Sequence, residues 1–173
     1  PEEILPDAVA VLDPKRTDCN YPFKDLCGCG IGFKLVQAIN NQLRLSDSEL
    51  IIYLDLVATA IAADLVPLVG ENRTLMFLGL KQLRENPRLG FKIFIKDLTR
   101  PLNVSDLAFI VAPRINAAGR MDHGINAVKL MTSKDQKVVL SIARTIEFFN
   151  TERKSTEERK TKEALQQIKL EEI

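Results

Sequence analysis

Apolar residues recur at helical spacing over most of this chain, and the exceptions are short. Phe33, Leu35, Val36 and Ile39 make one apolar face and predict a helix from Gly32 to about Leu43. Ser46-Asp47-Ser48-Glu49 predicts the next helix start, with Ser46 as N-cap and Glu49 at the capping-box position. That helix runs through Ile52, Leu56, Ala60 and Ala63 and is apolar nearly all round, so it should be central and buried. Glu71-Asn72-Arg73 opens a third helix through Met76, Leu80 and Leu83, ending near Asn86-Pro87. Leu89 to Leu98 is ambiguous: the alternation of Phe91, Ile93 and Ile95 fits a strand only partly, and Phe94 with Leu98 fits a helix. Ser105-Asp106 predicts the cap of a short helix from Leu107 to Ala112, and Ile125 to Met131 predicts another. Ser133 caps a long final helix with Val138, Val139, Ile142, Ala143, Ile146 and Phe149 on its docking face. Past Asn150 the pattern turns to opposite charges at helical spacing, which predicts a solvated helix leaving the domain.

One segment departs from this period. Leu5 to Asp13 contains the run Ala8-Val9-Ala10-Val11-Leu12, closed by Asp13-Pro14, and reads as one buried strand. Such a run suits a parallel sheet, with Asp13 at the end where ligands bind in an α/β fold. The expected class is therefore α/β and helix-rich.

Composition narrows the function classes. The 173 residues are 46% hydrophobic and 27% charged, as in a soluble globular domain with a sizeable core. A net charge of +1 supplies no global basic field, so any anion site must be local. No apolar run is long enough to span a bilayer and no signal peptide is present, so a cytoplasmic location and no membrane partner are expected. The chain starts at Pro1 without Met, which suggests a processed or excised piece.

Pro113-Arg114-Ile115-Asn116-Ala117-Ala118-Gly119-Arg120 concentrates the candidate chemistry. Its two guanidinium groups are flat forks matched to phosphate oxygens, and its small residues let a ligand approach. A helix end with a Gly stop is the other reading. Within the apolar stretch of the second helix stand two carboxylates, Asp55 and Asp64. A buried charge costs several kcal/mol unless it is paired or holds a cation, and Asp64 at the end of the run suits a metal ligand or a turn before Pro67. Gly28, Gly30 and Gly32 fit a phosphate-cradling turn or close helix packing. Cys19, Cys27 and Cys29 are expected to be reduced structural thiols, because Cys-Gly-Cys is tighter than zinc-ligand spacing. His123 reads as a solvated loop residue, and Lys15, Arg16 and Lys24 as solvated charges.

Four blocks in order give the chain a resemblance to the single-strand-specific exonucleases of the DHH phosphoesterase superfamily. They are Leu5 to Lys15 with Cys19 to Gly30, Ala62 to Leu68 with Gly70 to Arg73, Pro113 to Met121, and Phe149 to Arg153. The family's two N-terminal aspartate motifs and its Asp-His-His motif do not occur here. The resemblance implies the helix-rich C-terminal half of a DHH-type parallel-sheet domain over residues 1–135, then the start of an interdomain helix over 136–173. It implies Asp64 as a ligand of a Mn²⁺ or Mg²⁺ centre, and Arg114, Asn116 and Arg120 as contacts to the DNA backbone or scissile phosphate. It implies 5′ to 3′ digestion of single-stranded DNA in recombination and repair. A single aspartate cannot hold two divalent cations, so this chain alone is expected to be inactive and to self-associate through a cut apolar face. A DHH phosphodiesterase of short oligonucleotides or cyclic dinucleotides, and a non-catalytic binding module, are the alternatives.

Overall fold

Helix is the only regular structure among the described residues. The computed structural model describes residues 5–121 and 124–171, and leaves the side chains of 118–121 and 170–171 outside that description. The elements are α1 (Gly28–Gln42), α2 (Ser48–Ile51), α3 (Leu54–Ala63), α4 (Gly70–Glu85), α5 (Leu89–Ile95), α6 (Val104–Asp106), α7 (Ala112–Met121), α8 (Ile125–Thr132) and α9 (Gln136–Glu171). A π-helical turn, Leu107–Val111, lies between α6 and α7. The chain forms two compact units, Pro1–Arg88 with Asp97–Ala112, and Leu89–Lys96 with Pro113–Ile173.

α3 is the centre of the first unit, as its all-round apolar sequence predicts. Val57, Ala58 and Ile61 are wholly buried against α4, α1 and the π-helical turn. At Gly79 of α4 an added Cβ would collide with the Leu54 carbonyl oxygen and the Ala58 Cβ, so the glycine is what lets α3 and α4 approach. Asp55 is fully buried and is answered from outside its own helix: Arg88 Nε donates to Oδ1 at 2.9 Å. Burial still pushes the Asp55 carboxyl above the ordinary carboxylate value, with Arg88 opposing.

Arg88 also explains why the predicted helix from Ser46 to Ala63 is two helices. Its Nη2 donates to the Ile52 carbonyl at 2.6 Å, and the Leu56 N–H donates to the Tyr53 carbonyl at 3.1 Å and to Asp55 Oδ1 at 2.8 Å. The helical bond between Ile52 and Leu56 is thereby replaced, and the chain turns through Ile52-Tyr53.

Three capping expectations shift by one or two residues. Asp47, not Ser46, precedes α2, and the Ser46 hydroxyl accepts from the Ser48 N–H instead. Asn103 caps α6 in a reciprocal box with Asp106, whose carboxylate Arg100 grips through both oxygens at 2.7 Å. That guanidinium holds the Asp106 carboxyl below the usual carboxylate range. Asp135 accepts from Lys137 N–H at 2.8 Å at the start of α9, while Ser133 accepts from Asp135 N–H.

The expected strand at Leu5–Asp13 does not form. Its described residues have no regular structure, and Leu5, Val9 and Leu12 are 44%, 109% and 58% exposed. A strand needs a neighbour to complete its ladder, and no strand exists among the described residues to provide one.

In the second unit, the ambiguous Leu89–Leu98 segment resolves as α5, with Phe91 wholly buried. α5, α8 and the first half of α9 share a core of Phe91, Leu130, Val139 and Ile146. Beyond Arg153, α9 is almost entirely exposed and carries the i,i+4 pairs Arg153–Glu157 and Arg159–Glu163.

Candidate metal and phosphate residues

Asp64 caps the C-terminal end of α3, its N–H donating to the Ala60 carbonyl at 2.9 Å. Its side chain is exposed, and no ion pair is made to it among the described residues. The next residue, Leu65, holds φ at +52°, the left-handed region that a branched side chain seldom enters. Strain of this kind persists only where surrounding contacts impose it. Those contacts are visible. Asn72 in the first turn of α4 is wholly buried, and its Nδ2 donates to the Asp25 carbonyl at 2.7 Å and the Pro67 carbonyl at 3.0 Å. One carboxamide thus ties the turn after Asp64 to the segment that leads into α1. Gly70, at φ +50°, lies against the Phe23 ring, where a Cβ would sit 2.8 Å from a ring carbon. Tyr21 donates to Glu71 at 2.6 Å, and Lys34 pairs with the same carboxylate at 3.0 Å.

Cys27, which precedes α1, and Cys29 in its first turn share the electrostatics of this end. Burial is the main cause that raises both thiols, Cys29 to about 11 with Cys27, Asp64 and Asp55 adding to the effect. All three cysteines are free. Of the three alternate glycines only Gly30 is packed, against Leu26, whereas Gly28 and Gly32 face open space. Arg16 is engaged by Asp18 and the Val11 carbonyl, and Lys24 Nζ donates to the Cys19 carbonyl, so neither is a simple solvated charge.

Arg114 and Asn116 belong to α7 in the second unit. The Arg114 guanidinium meets the Glu147 carboxylate of α9 along one edge, Nε to Oε2 at 2.6 Å and Nη2 to Oε1 at 3.0 Å. The Phe94 ring of α5 lies 5.8 Å from the guanidinium carbon. Asn116 is exposed. Arg120 is on the helical backbone of α7, but its side chain lies outside the described residues, as does His123 entirely. The whole Pro113–Arg120 run is helical, so the Gly does not end the helix.

Chemistry separates the donors that fit a hard divalent cation from those that do not. The Asp64 carboxylate is a hard, accessible oxygen donor. The Cys27 and Cys29 thiols are soft, and their raised pKa keeps them protonated. Among the described residues no group of three or more His, Cys, Asp or Glu is placed to hold a metal ion. Asp64 fits as one ligand of such a centre and does not complete it.

Sequence reasoning named Asp64, Arg114, Asn116 and Arg120 as candidates and did not single out Asn72 or Glu147, which the structure places beside two of them. Asn72 gave a faint signal, a polar residue on the buried side of α4. Glu147 gave none, because it reads as one more charge on a charged helix.

No protein-family model matches the chain. Curated relatives do. It is 40% identical over 168 residues to the single-stranded-DNA-specific exonuclease RecJ of Bacillus subtilis, covering 95% of this chain and 20% of that protein. It is 35% identical over 178 residues to the RecJ exonuclease of Escherichia coli, covering 95% of this chain and 31% of that protein. The crystal structure of Thermus thermophilus RecJ in complex with Mn²⁺ superposes with a TM-score of 0.77 at 28% identity, over 86% of this chain and 22% of that one. The structure of the same organism's protein with Mg²⁺ gives 0.75. The chain thus spans about a fifth to a third of the length of the curated relatives above. With that likeness extending over nearly all of its own length, and with the four sequence blocks in order, the chain belongs to the RecJ family.

Proposed function

We propose that this chain is part of the catalytic region of a metal-dependent exonuclease that hydrolyses phosphodiester bonds of single-stranded DNA. The observation that carries the reading is Asp64: an exposed carboxylate, beside a left-handed Leu65, on a turn that buried Asn72 ties in place. In this reading Asp64 holds one of the Mn²⁺ or Mg²⁺ ions found in the RecJ structures. Bound metal would supply an activated water and charge stabilisation at the leaving oxygen. Arg114, Asn116 and Arg120 bind the DNA backbone and offset its negative charge as the phosphorus becomes five-coordinate. Asn72 keeps the Asp64 turn in register. The polarity is 5′ to 3′, the setting is cytoplasmic recombination and repair, and no described helix is long and apolar enough to cross a membrane.

We further propose that Ala8–Leu12 joins a parallel sheet in the longer protein, which would cover the side chains now exposed. In terms of role, residues 1–135 belong to the DHH catalytic domain and 136–173 to the connecting helix, although the first half of α9 packs within the second unit. The 173-residue chain alone is expected not to digest DNA, since Asp64 by itself leaves a two-metal centre short of oxygen ligands.

The test is digestion of 5′-labelled single-stranded and duplex DNA by the full-length protein with Mn²⁺. Single-strand digestion with duplex spared is the expected result. Equal digestion of both, or cleavage restricted to dinucleotides, would overturn the reading. Self-association of the 173-residue chain is a separate expectation, resting on exposed Leu5, Val9 and Leu12, on Leu35, Val36 and Ile39 of α1 and on Leu43 just after it. Sedimentation should show dimers or larger species, and a monomer at all concentrations would refute it.

A further inference from the structure

Arg114 is held on two sides. Glu147 engages its Nε–Nη2 edge through both carboxylate oxygens, at 2.6 and 3.0 Å, and its guanidinium carbon lies over the Phe94 ring, 5.8 Å from the centroid. The support behind Glu147 is rigid. It directly follows Ile146, which is 2% exposed, and α9 at this level is anchored by Ala143 and Val139 in the core with Leu130 and Phe91. The backbone that carries Glu147 therefore cannot shift along α9 without unpacking that core.

The pair itself contributes little to folding. Glu147 is 49% exposed, and ion pairs in contact with solvent are screened and weak. What a two-point carboxylate grip does accomplish is direction. A guanidinium is planar, carries five N–H donors, and sits on a stem with several rotatable bonds. Gripping one edge limits rotation of the guanidinium and lowers the ordering cost of substrate binding.

We propose that Glu147 is a positioning residue, which orients the Arg114 guanidinium for a phosphodiester of the DNA backbone. The inference rests on the reading of Arg114 as a phosphate contact. It assigns α9, otherwise a connecting helix, a part in presenting α7 to substrate.

A double-mutant cycle in the full-length nuclease tests it, using R114A, E147A, E147D and R114A/E147A on single-stranded DNA. Each variant is read for kcat, KM and the salt dependence of DNA binding, with circular dichroism and thermal midpoint confirming the fold. E147A should lower kcat/KM about tenfold, within the range reported for misplaced positioning groups. It should also reduce the salt slope by about one phosphate contact, as R114A does. In the R114A background E147A should change neither quantity, because the two act as one unit. E147D, which keeps the carboxylate, should recover part of the loss. An R114A variant with wild-type kinetics would refute the phosphate reading, and the proposal with it. A deficient R114A beside a neutral or merely additive E147A would overturn the proposal and leave that reading standing. Tighter DNA binding by E147A would also overturn it, making Glu147 a competitor of the phosphate.

Discussion

Asp64→Ala in the full-length protein is expected, on the metal-ligand reading proposed above, to abolish single-strand digestion while leaving the fold intact. A bound metal supplies several kcal/mol of charge stabilisation in the transition state, and losing a ligand forfeits that contribution. At about 1.4 kcal/mol per factor of ten, the loss should be roughly a thousandfold or more in kcat. The fold should survive because the Asp64 side chain is exposed and makes no ion pair among the described residues, and surface changes of that kind stay within about ±0.5 kcal/mol. Two measurements settle it together: the digestion rate with saturating Mn²⁺, and Mn²⁺ affinity by calorimetry. Unchanged digestion would return Asp64 to the role of a helix cap. Asn72→Ala makes a useful contrast, since it removes the tie to the Pro67 carbonyl while keeping the carboxylate. It should weaken Mn²⁺ binding and stability together, where Asp64→Ala weakens only the first.

The largest stability effect is expected at Arg88. Replacing it by Ala leaves the fully buried Asp55 without the guanidinium that now donates to it. Breaking a buried pair from one side typically costs about 3–5 kcal/mol, because the remaining charge is stranded. Asp55→Asn in the same background should recover much of that, since an uncharged amide is far cheaper to bury. The pH dependence has a definite sign. Burial already raises the Asp55 carboxyl, and Arg88 is the main group opposing it. Without Arg88 the folded-state value rises further. A raised carboxyl stabilises the fold below its unfolded value, and that contribution is lost as pH rises through the folded value. Arg88→Ala should therefore be weakest near neutral pH and regain stability toward about pH 4, where a carboxyl is ordinarily half protonated. Urea unfolding at two pH values measures this directly. A uniform loss at both would mean that the Arg88 bond to the Ile52 carbonyl and its cation–π contact with Tyr53 matter more than the Asp55 charge.

The helices were largely legible in the linear pattern, and so was the burial of α3. Side chains three and four residues apart share a helix face, so the apolar face of α4 or of α9 is written in consecutive residues. Asp55 was legible as a problem, since a charge inside an apolar helix must find a partner. Its solution lies 33 residues away in sequence, and no local pattern announces a contact between distant side chains. The break at Ile52-Tyr53 follows from that contact and was equally hidden. Cap positions moved for a milder reason: Ser, Asp and Asn compete within two residues for the same N–H groups, and packing selects among them. Asp64 was singled out from its place at the end of an apolar run, but the left-handed Leu65 beside it and the Asn72 bonds to the Asp25 and Pro67 carbonyls that tie the following turn were not legible there. Ala8–Leu12 shows the opposite case. Its composition suits a strand, yet a strand is a property of a pair, and the described residues offer no second member. Periodicity thus dictated which segments are helical, through neighbours along the chain. Which charges are answered, where helices break and which functional side chains are held still depended on distant residues meeting in three dimensions.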